Sequence, residues 1–269
     1  MNHTKVHAEG IGKTFTLRKK GHAEKLSILQ DFSLDIQEGE FLSILGPSGC
    51  GKSTFLNILG GLSDADSGTI TIDGKPFQKK SFDRGIVFQG YALLPWRTIL
   101  ENLEIGLEIR HVPAKERRER ARHYLRLVGL EDYADQYPHQ LSGGMRQRVA
   151  IARVLTYEPD ILLMDEPFAA LDAQTREILQ MELLRIWEKN RKTILFITHS
   201  IDEAILLSDR IALMTSHPGT IKEIISIDLP RPRNESVRDS AAFSELRHYA
   251  WEQLKAEVLK SQAFQRRAL

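Results

Sequence analysis

The chain has 269 residues, enough for one large domain or two small ones with a buried core. Its 37 basic and 36 acidic residues give a net charge of +1, so its charge gives no reason to expect nucleic acid as the main partner. No apolar run approaches the roughly 20 residues of a membrane-spanning helix, and the first residues lack the apolar core of a signal peptide. The single cysteine, Cys50, cannot form an intrachain disulfide, so a reducing cytosol is expected.

The first predicted elements are strands. Residues 5–15 form one predicted strand that ends near Phe15, and residues 33–36 alternate as a second strand. The polar, basic residues 19–25 between them predict a solvated hairpin loop. Phe15 has two interpretations: it belongs to the core, or it stacks on an adenine ring if a nucleotide-binding loop follows.

A glycine-rich loop follows the apolar strand at residues 41–45 and precedes a helix-compatible segment at residues 55–59. It fits the phosphate-binding pattern G-x-x-x-x-G-K-[ST], and it consists of Gly46, Pro47, Ser48, Gly49, Cys50, Gly51, Lys52, Ser53 and Thr54. Its glycines let backbone N–H groups turn toward phosphate oxygens at the positive end of the following helix. Lys52 would add a mobile charge for the terminal phosphates, and Ser53 a hydroxyl for Mg²⁺. Cys50 is either simply a small residue or a point where a thiol reagent blocks nucleotide binding.

Further strand predictions place polar residues at strand ends. Residues 69–72 form a predicted strand that ends in a hairpin turn at Asp73 and Gly74. Residues 85–88 predict a buried strand, and Gln89 follows it where ligands of parallel sheets bind. Many strands end in glutamine, so Gln89 alone is weak evidence for a ligand site.

The sequence pattern changes from Tyr91 to Tyr157. Residues 91–96 are apolar and broken by a proline, which fits either core or a groove that receives a helix of another protein. Residues 113–127 predict an amphipathic helix. Residues 141–148 begin another helix, which Ser142 can cap while two glycines expose its first N–H groups. This start is either an anion site or a plain cap.

Two carboxylates end the next apolar strand, residues 161–164. Because adjacent strand residues face opposite ways, Asp165 and Glu166 are expected to have separate tasks. Asp165 can sit against Mg²⁺, and Glu166 can orient or deprotonate an attacking water. Asp172 then begins a helix, either as a plain N-cap or as a functional carboxylate.

The predicted strand at residues 193–197 leads to His199. At the same sheet edge as Gln89 and Glu166, His199 is expected to contact a γ-phosphate. Ser200 and Glu203 form a predicted capping box. Strands at residues 210–214 and 220–227 close the sheet, and a final helix is predicted over residues 237–262 from the apolar spacing of Phe243, Leu246, Ala250 and Leu254.

Together these motifs resemble those of ABC-type ATPases over nearly the whole chain. Gln89 matches the Q-loop, Glu166 the catalytic glutamate, Asp172 the D-loop aspartate, His199 the switch histidine and Phe15 the adenine-stacking aromatic. The family signature matches Leu141, Ser142, Gly143, Gly144 and Gln147. The resemblance implies ATP and Mg²⁺ as cofactors, with Glu166, His199 and Gln89 as catalytic residues and Ser53, Gln89 and Asp165 as metal ligands.

The resemblance also implies an α/β fold: a P-loop NTPase (RecA-like) core with an antiparallel β subdomain and an inserted α-helical signature subdomain. The ATPase domain would span residues 1–230, with the helical subdomain at about 91–158, and residues 231–269 would form a C-terminal helical extension. Two copies would face head to tail, so that each signature segment acts in trans. A soluble non-transport ABC ATPase remains the alternative; a P-loop small-molecule kinase has no reason to carry the signature.

Several segments look like those of importers of nitrate, sulfonate, taurine and related solutes: residues 93–96, 198–199, 202–204 and 229–232. Ser200 and Ala169 depart from residues common in the family, and neither removes a catalytic group. The resemblance implies a peripheral subunit on the cytoplasmic face of the inner membrane. A membrane permease would dock near Gln89 and residues 91–107, and an extracytoplasmic substrate-binding protein of the same system would make no direct contact.

Overall fold

Strands and helices follow one another along the chain in the order expected of an α/β protein. The computed structural model describes residues 3–19 and 22–268. Its strands are β1 (Thr4–Lys19), β2 (His22–Gln37), β3 (Phe41–Leu45), β4 (Ser67–Ile72), β5 (Lys75–Pro76), β6 (Arg84–Val87), β7 (Ile161–Asp165), β8 (Thr193–Thr198), β9 (Arg210–Met214) and β10 (Ile221–Ser226). Its α-helices are α1 (Lys52–Leu59), α2 (Ile99–Ile109), α3 (Ala114–Leu127), α4 (Gly143–Thr156), α5 (Ala173–Asn190), α6 (Ile201–Leu207) and α7 (Ala241–Ala268).

These elements fall into two units, one of Met1–Ser81 with Trp187–Leu269 and the other of Phe82–Ile186. The first unit holds an antiparallel sheet in the order β2-β1-β4-β5. The predicted turn between β4 and β5 is confirmed: Asp73 and Gly74 have φ angles of 51° and 70°, the left-handed pair that a two-residue hairpin requires.

The predicted hairpin loop at residues 19–25 is wrong in extent. β1 continues to Lys19 and pairs with β2 from His22 onward, so the pairing covers most of that segment. Paired strands satisfy their backbone N–H and C=O groups whatever the polarity of their side chains, and sequence polarity alone therefore misplaced the loop. Residues 20–21 of the predicted loop lie outside the described residues.

A second sheet in the first unit runs in the order β10-β9-β3-β8, with β3 parallel to both β9 and β8. Every residue of β3 and β8 is buried, as their continuous apolar sequences predict for strands covered on both faces. The rings of Phe32 and Phe55 lie 4.3 Å apart between their centroids, which packs α1 against β2. This packing fixes the loop between β3 and α1.

The second unit combines the parallel pair β6 and β7 with helices α2, α3 and α4. The predicted helix at residues 113–127 is confirmed as α3. The core of this second unit contains Ile99 and Leu103 of α2, Leu125 of α3 and Val149 of α4. Thr98 caps α2 in a reciprocal box with Glu101.

The C-terminal helix starts later than predicted. Residues 235–239 form a 3₁₀ turn, and α7 begins after Ser240, whose hydroxyl accepts a hydrogen bond of 3.1 Å from the N–H of Phe243. This local cap, rather than the apolar spacing, sets the helix start. Phe243, Ala250 and Leu254 are buried within the first unit. No helix of the described part of the chain combines the length and apolar character needed to cross a bilayer.

Candidate nucleotide-binding and catalytic residues

The loop between β3 and α1 has the backbone of a phosphate-binding loop. Gly49 and Gly51 have φ angles of 80° and 105°, a region that residues with side chains rarely adopt. Gly51 is the N-cap of α1, and a Cβ there would lie 2.7 Å from Cδ2 of Leu29. At Gly46 the constraint is space, since a Cβ would approach Sγ of Cys50 to 3.0 Å. Gly49 and Gly51 are therefore needed for their backbone conformation, and Gly46 is needed for its close packing.

Lys52 lies in the first turn of α1 and is 6% exposed. Its Nζ donates to the carbonyl oxygens of Gly46 (2.8 Å) and Pro47 (2.9 Å) and lies 3.9 Å from Sγ of Cys50. Across the described residues, no carboxylate forms an ion pair with this ammonium. A buried cation with only neutral acceptors, at the N-terminus of a helix, is suited to an anionic ligand.

The other loop residues separate into exposed and buried groups. Ser48, Gly49 and Ser53 are exposed, whereas Cys50 is fully buried. Burial raises the pKa of the Cys50 thiol, and the nearby charge of Lys52 only partly opposes this. The thiol is therefore protonated at neutral pH and packs as a small apolar group.

Phe15 is 44% exposed, so its interpretation as a core residue is wrong. The ammonium of Lys13 lies 5.6 Å from the centroid of its ring, within the range of a cation–π contact. An accessible ring face in the same unit as the P-loop is compatible with base stacking, which remains a prediction.

His199 lies next to the P-loop because of strand register. β3 and β8 pair in parallel with Leu45 opposite Thr198, so Gly46 and His199 leave the sheet side by side. Parallel strands are about 4.8 Å apart. The side chain of His199 is exposed at this edge.

The predicted capping box after His199 is half correct. The N–H of Glu203 donates to Oγ of Ser200 at 3.3 Å, which is the cap. The carboxylate of Glu203 accepts from the hydroxyl of Thr198 at 2.6 Å, and the N–H of Ser200 donates to Oγ1 of Thr198 at 2.9 Å. Thr198 thus takes the place of the direct reciprocal bond, and it fixes the backbone on both sides of His199.

In the second unit, the structure brings Gln89 and Glu166 together. β6 and β7 pair in parallel with Val87 opposite Met164, and each functional residue stands two positions further on. Nε2 of Gln89 donates to Oε2 of Glu166 at 3.4 Å. Asp165 is the last residue of β7 and is half-buried.

Strand alternation does not separate the two carboxylates as predicted. β7 ends at Asp165, and Glu166 has a φ angle of 46°, in the left-handed region. The N–H of Ala169 donates to the carbonyl oxygen of Glu166 at 3.1 Å, so the chain turns immediately. A turn rather than the strand pleat sets the direction of Glu166, and left-handed glutamate is the kind of strain found at functional sites.

The signature segment and Asp172 both begin helices in the second unit. The hydroxyl of Ser142 accepts from the N–H of Met145 at 3.3 Å, which confirms the cap of α4. Ser142 is exposed, whereas Leu141 and Gln147 are buried. Oδ1 of Asp172 accepts from the N–H of Thr175 at 2.9 Å, so Asp172 is the N-cap of α5. That hydrogen bond lowers the pKa of Asp172.

Sequence analysis missed two residues beside the P-loop, in the turn between β9 and β10. A Cβ on Gly219 would lie only 1.9 Å from the carbonyl oxygen of Cys50, so the Gly219 backbone packs directly against the loop. The ring of His217 lies beside Gly49, with Nε2 3.7 Å from where a Cβ of Gly49 would be. The Pro218-Gly219 dipeptide signals a turn, but nothing local indicates which loop it touches.

Comparison with known proteins identifies the family of the chain. A family model described as ABC transporter matches residues 29–169, and the chain belongs to that family. It is an ATP-binding subunit, an ATPase coupled to transport, with the P-loop NTPase fold of the family.

The most informative relatives cover nearly the whole chain. An uncharacterized ABC transporter ATP-binding protein of Methanocaldococcus jannaschii is 51% identical over 257 residues, covering 96% of this chain and 94% of that protein. The nitrate import ATP-binding protein NrtD of Synechococcus elongatus is 45% identical over 246 residues, 90% of this chain and 88% of its own length. The taurine import ATP-binding protein TauB of Pseudomonas aeruginosa is 46% identical over 241 residues, which cover 89% of this chain and 90% of that protein.

A solved structure is similar in fold. A dimeric ATP-binding cassette in a post-hydrolysis state, bound to ADP and Pi, has a TM-score of 0.74 and 36% identity. The structural match covers 84% of this chain and 100% of the chain of the solved structure.

Proposed function

We propose that this chain is the ATP-hydrolysing subunit of an importer for a small anion-like solute of the nitrate, aliphatic sulfonate or taurine class. The observation that carries the ATPase part is the hydrogen-bonded pair of Gln89 and Glu166 at the ends of neighbouring parallel strands. The import part is supported by likeness to proteins named for nitrate and taurine import.

ATP is bound by the P-loop in this proposal. The loop N–H groups and Lys52 hold the phosphates, since the Lys52 ammonium already points to the inner side of the loop. The exposed ring of Phe15 stacks on the adenine, a contact worth ~1–3 kcal/mol in nucleic-acid binders. Both residues lie in the same unit.

Three oxygen-bearing side chains would hold Mg²⁺: the hydroxyl of Ser53, the amide of Gln89 and the carboxylate of Asp165. Their chemistry fits, because Mg²⁺ prefers oxygen ligands and commonly binds through one carboxylate together with substrate phosphates. When bound, Mg²⁺ neutralises negative charge on the β- and γ-phosphates.

Glu166 acts as the general base in the proposed hydrolysis. Its carboxylate takes a proton from the attacking water. The amide of Gln89, 3.4 Å away, orients the Glu166 carboxylate. His199 contacts the γ-phosphate beside the P-loop, in a backbone held by the Thr198 hydroxyl. Removal of any one of these groups affects catalysis more than nucleotide affinity.

Two copies of the chain complete each site. The exposed Ser142, with Gly143 and Gly144 at the start of α4, offers N–H groups to the γ-phosphate held by the other copy. Asp172 lies at the same interface as the D-loop residue. The dimeric state of the similar ATP-binding cassette supports this proposal.

The transport pathway belongs to a separate permease in this proposal. Residues 91–107 form its docking site near Gln89, and the observation behind this is Trp96, which is 71% exposed. An exposed tryptophan beside half-buried Leu93 and Leu94 favours a groove over core. The subunit is peripheral on the cytoplasmic face of the inner membrane, and an extracytoplasmic binding protein delivers the solute.

A pull-down tests the proposed function. A tagged Glu166→Gln chain, expressed in its native cell and extracted gently with ATP and Mg²⁺, should co-purify with a protein of several membrane spans. The companion binding protein of that permease would then give the solute directly. Recovery of only soluble or ribosomal partners would overturn the importer assignment and favour a soluble ABC ATPase. A tagged Trp96→Asp chain serves as the control, since it should lose the permease but keep ATP binding.

A further inference from the structure

A buried carboxylate on the C-terminal helix faces the turn between β9 and β10. Glu257 is 2% exposed, and its Oε2 accepts a hydrogen bond of 3.0 Å from the N–H of Ser216. Its Oε1 accepts from Nζ of Lys260 at 2.8 Å and lies 3.8 Å from Nζ of Lys222. Burial alone would raise the pKa of Glu257, but these hydrogen bonds and positive charges outweigh it and lower the pKa. Glu257 is therefore ionised at neutral pH, and each of its carboxylate oxygens accepts a hydrogen bond.

Two further contacts attach α7 to the same hairpin. Nζ of Lys222 donates to the carbonyl oxygen of Gln253 at 2.7 Å, and the hydroxyl of Tyr249 is hydrogen-bonded to Glu223. The helix thus contacts both the turn and the first residues of β10. Glu257 reaches the turn itself, at residues 215–220.

That turn lies between α7 and the P-loop. The N–H of Gly219 donates to the carbonyl oxygen of Ile28 at 2.8 Å, and its own carbonyl accepts from Gln30 at 3.2 Å. These bonds hold Gly219 so close to Cys50 that a Cβ would lie 1.9 Å from the Cys50 carbonyl oxygen. The P-loop therefore packs against a turn that Glu257 contacts at Ser216.

We propose that Glu257 is a positioning residue for nucleotide binding, which sets the P-loop from the C-terminal helix through the turn at residues 215–220. The proposal rests on ATP binding by the P-loop, as proposed above. Without the carboxylate, the Ser216 N–H is a buried donor with no acceptor, and the turn must move to reach water. Gly219 moves with it, and the Cys50 carbonyl loses the surface that supports it.

Calorimetric titration of the full-length chain with ADP tests this link, since ADP binding requires only the P-loop side of the site. Glu257→Ala should weaken ADP binding about tenfold, while Glu257→Gln, whose amide oxygen still accepts from Ser216, should stay near wild type. Gly219→Ala should also weaken ADP binding, because its Cβ disturbs the contact between the turn and Cys50 of the P-loop. The double variant should be clearly less than additive, because both changes disturb one contact.

Two controls separate positioning from general stability. Glu252→Ala removes an exposed carboxylate from the same helix and should leave ADP affinity unchanged. Leu254→Ala removes buried apolar contact of α7, so it should lower thermal stability at least as much as Glu257→Ala, yet leave ADP affinity of the folded chain intact. Should Glu257→Ala not fold, Glu257→Asp carries the same test, because its shorter side chain withdraws the acceptor from Ser216.

The outcomes are distinct. Wild-type ADP affinity in Glu257→Ala, additive effects in the double variant, or an equal loss in Leu254→Ala would each overturn the positioning role. A wild-type chain that fails to bind ADP would instead overturn the nucleotide-binding function of the P-loop.

Discussion

The catalytic assignment depends on one strained residue. Glu166 holds a left-handed backbone at the end of β7, which costs on the order of 1–3 kcal/mol for a residue with a side chain. The turn that follows aims its carboxylate at Gln89. A structural role alone gives no reason for a glutamate, since glycine or asparagine would fit the same backbone with less strain.

Substitution of Glu166 by glutamine tests its role as general base. A positioned base contributes ~10²–10⁴-fold, so Glu166→Gln should hydrolyse ATP at least about a hundredfold more slowly. ATP affinity should remain near wild type, because the P-loop is unchanged. Phosphate release and ATP titration measure the two quantities. Glu119→Gln, an exposed position on α3, is the control; near-normal turnover of Glu166→Gln would remove Glu166 from the role.

The only cysteine offers a second test at the same scale. Cys50 is fully buried and burial raises the pKa of its thiol, so little reactive thiolate is present at pH 8. Iodoacetamide should therefore modify the native chain slowly and the chain in guanidinium rapidly, as measured by intact mass. Because the sequence has 1 cysteine, the mass shift reports this residue alone. Rapid native modification with loss of ADP binding would instead support the interpretation of Cys50 as a reactive site.

At the scale of elements, Arg233 joins the end of α6 to the segment after β10. Its guanidinium donates to the carbonyl oxygens of Ile205, Leu206 and Ser208 at 2.9, 3.1 and 2.7 Å. It also donates to those of Ile227 and Leu229 at 3.1 and 3.3 Å. The last carbonyls of a helix have no partner within the helix, and here an arginine 5% exposed supplies the donors.

Arg233→Met should lower the free energy of unfolding by ~3 kcal/mol, since it leaves several buried carbonyl groups without donors. Burial lowers the pKa of Arg233 to about 10, so it is charged at neutral pH and the loss includes charge-assisted bonds. Guanidinium denaturation measures the change. Arg247→Met, at an exposed position of α7, should be near neutral; equal stability of both variants would contradict the role of Arg233.

Elements that depend on local chemistry were predictable from sequence. The turn at Asp73 and Gly74 requires two positive φ angles, and the start of α4 requires a capping side chain, so both patterns carried enough information. The length of β1 and β2 depends on pairing between strands, which side-chain polarity does not reveal. The contact of Gly219 with the P-loop depends on sheet order across some 170 positions, and no local pattern encodes it.

At the scale of the whole molecule, the sequence motifs describe two incomplete halves of a site. The P-loop side presents a helix N-terminus and a buried ammonium, and the signature side presents an exposed Ser142 that caps α4. Both halves suit phosphate. In the proposed head-to-tail pair, each P-loop would meet the signature segment of the other copy, and hydrolysis would depend on association.

Association should therefore depend on ATP. The Glu166→Gln chain, which should bind ATP without consuming it, is expected to sediment as a monomer without nucleotide and as a dimer with ATP and Mg²⁺. Wild-type turnover per subunit should rise with protein concentration for the same reason. A chain that binds ATP yet stays monomeric, with turnover independent of concentration, would contradict the shared site.

Substitution at Ser142 tests which surface closes the dimer. Aspartate and asparagine both cap helices well, so neither Ser142→Asp nor Ser142→Asn should destabilise α4. Only aspartate adds a negative charge where the partner's γ-phosphate is proposed to lie, and repulsion there should abolish ATP-dependent dimerisation and hydrolysis. ADP binding should be unchanged in both, since it requires no partner. If the aspartate and asparagine variants dimerise equally well in analytical ultracentrifugation, the signature helix does not face nucleotide in the dimer, and the interface must lie elsewhere.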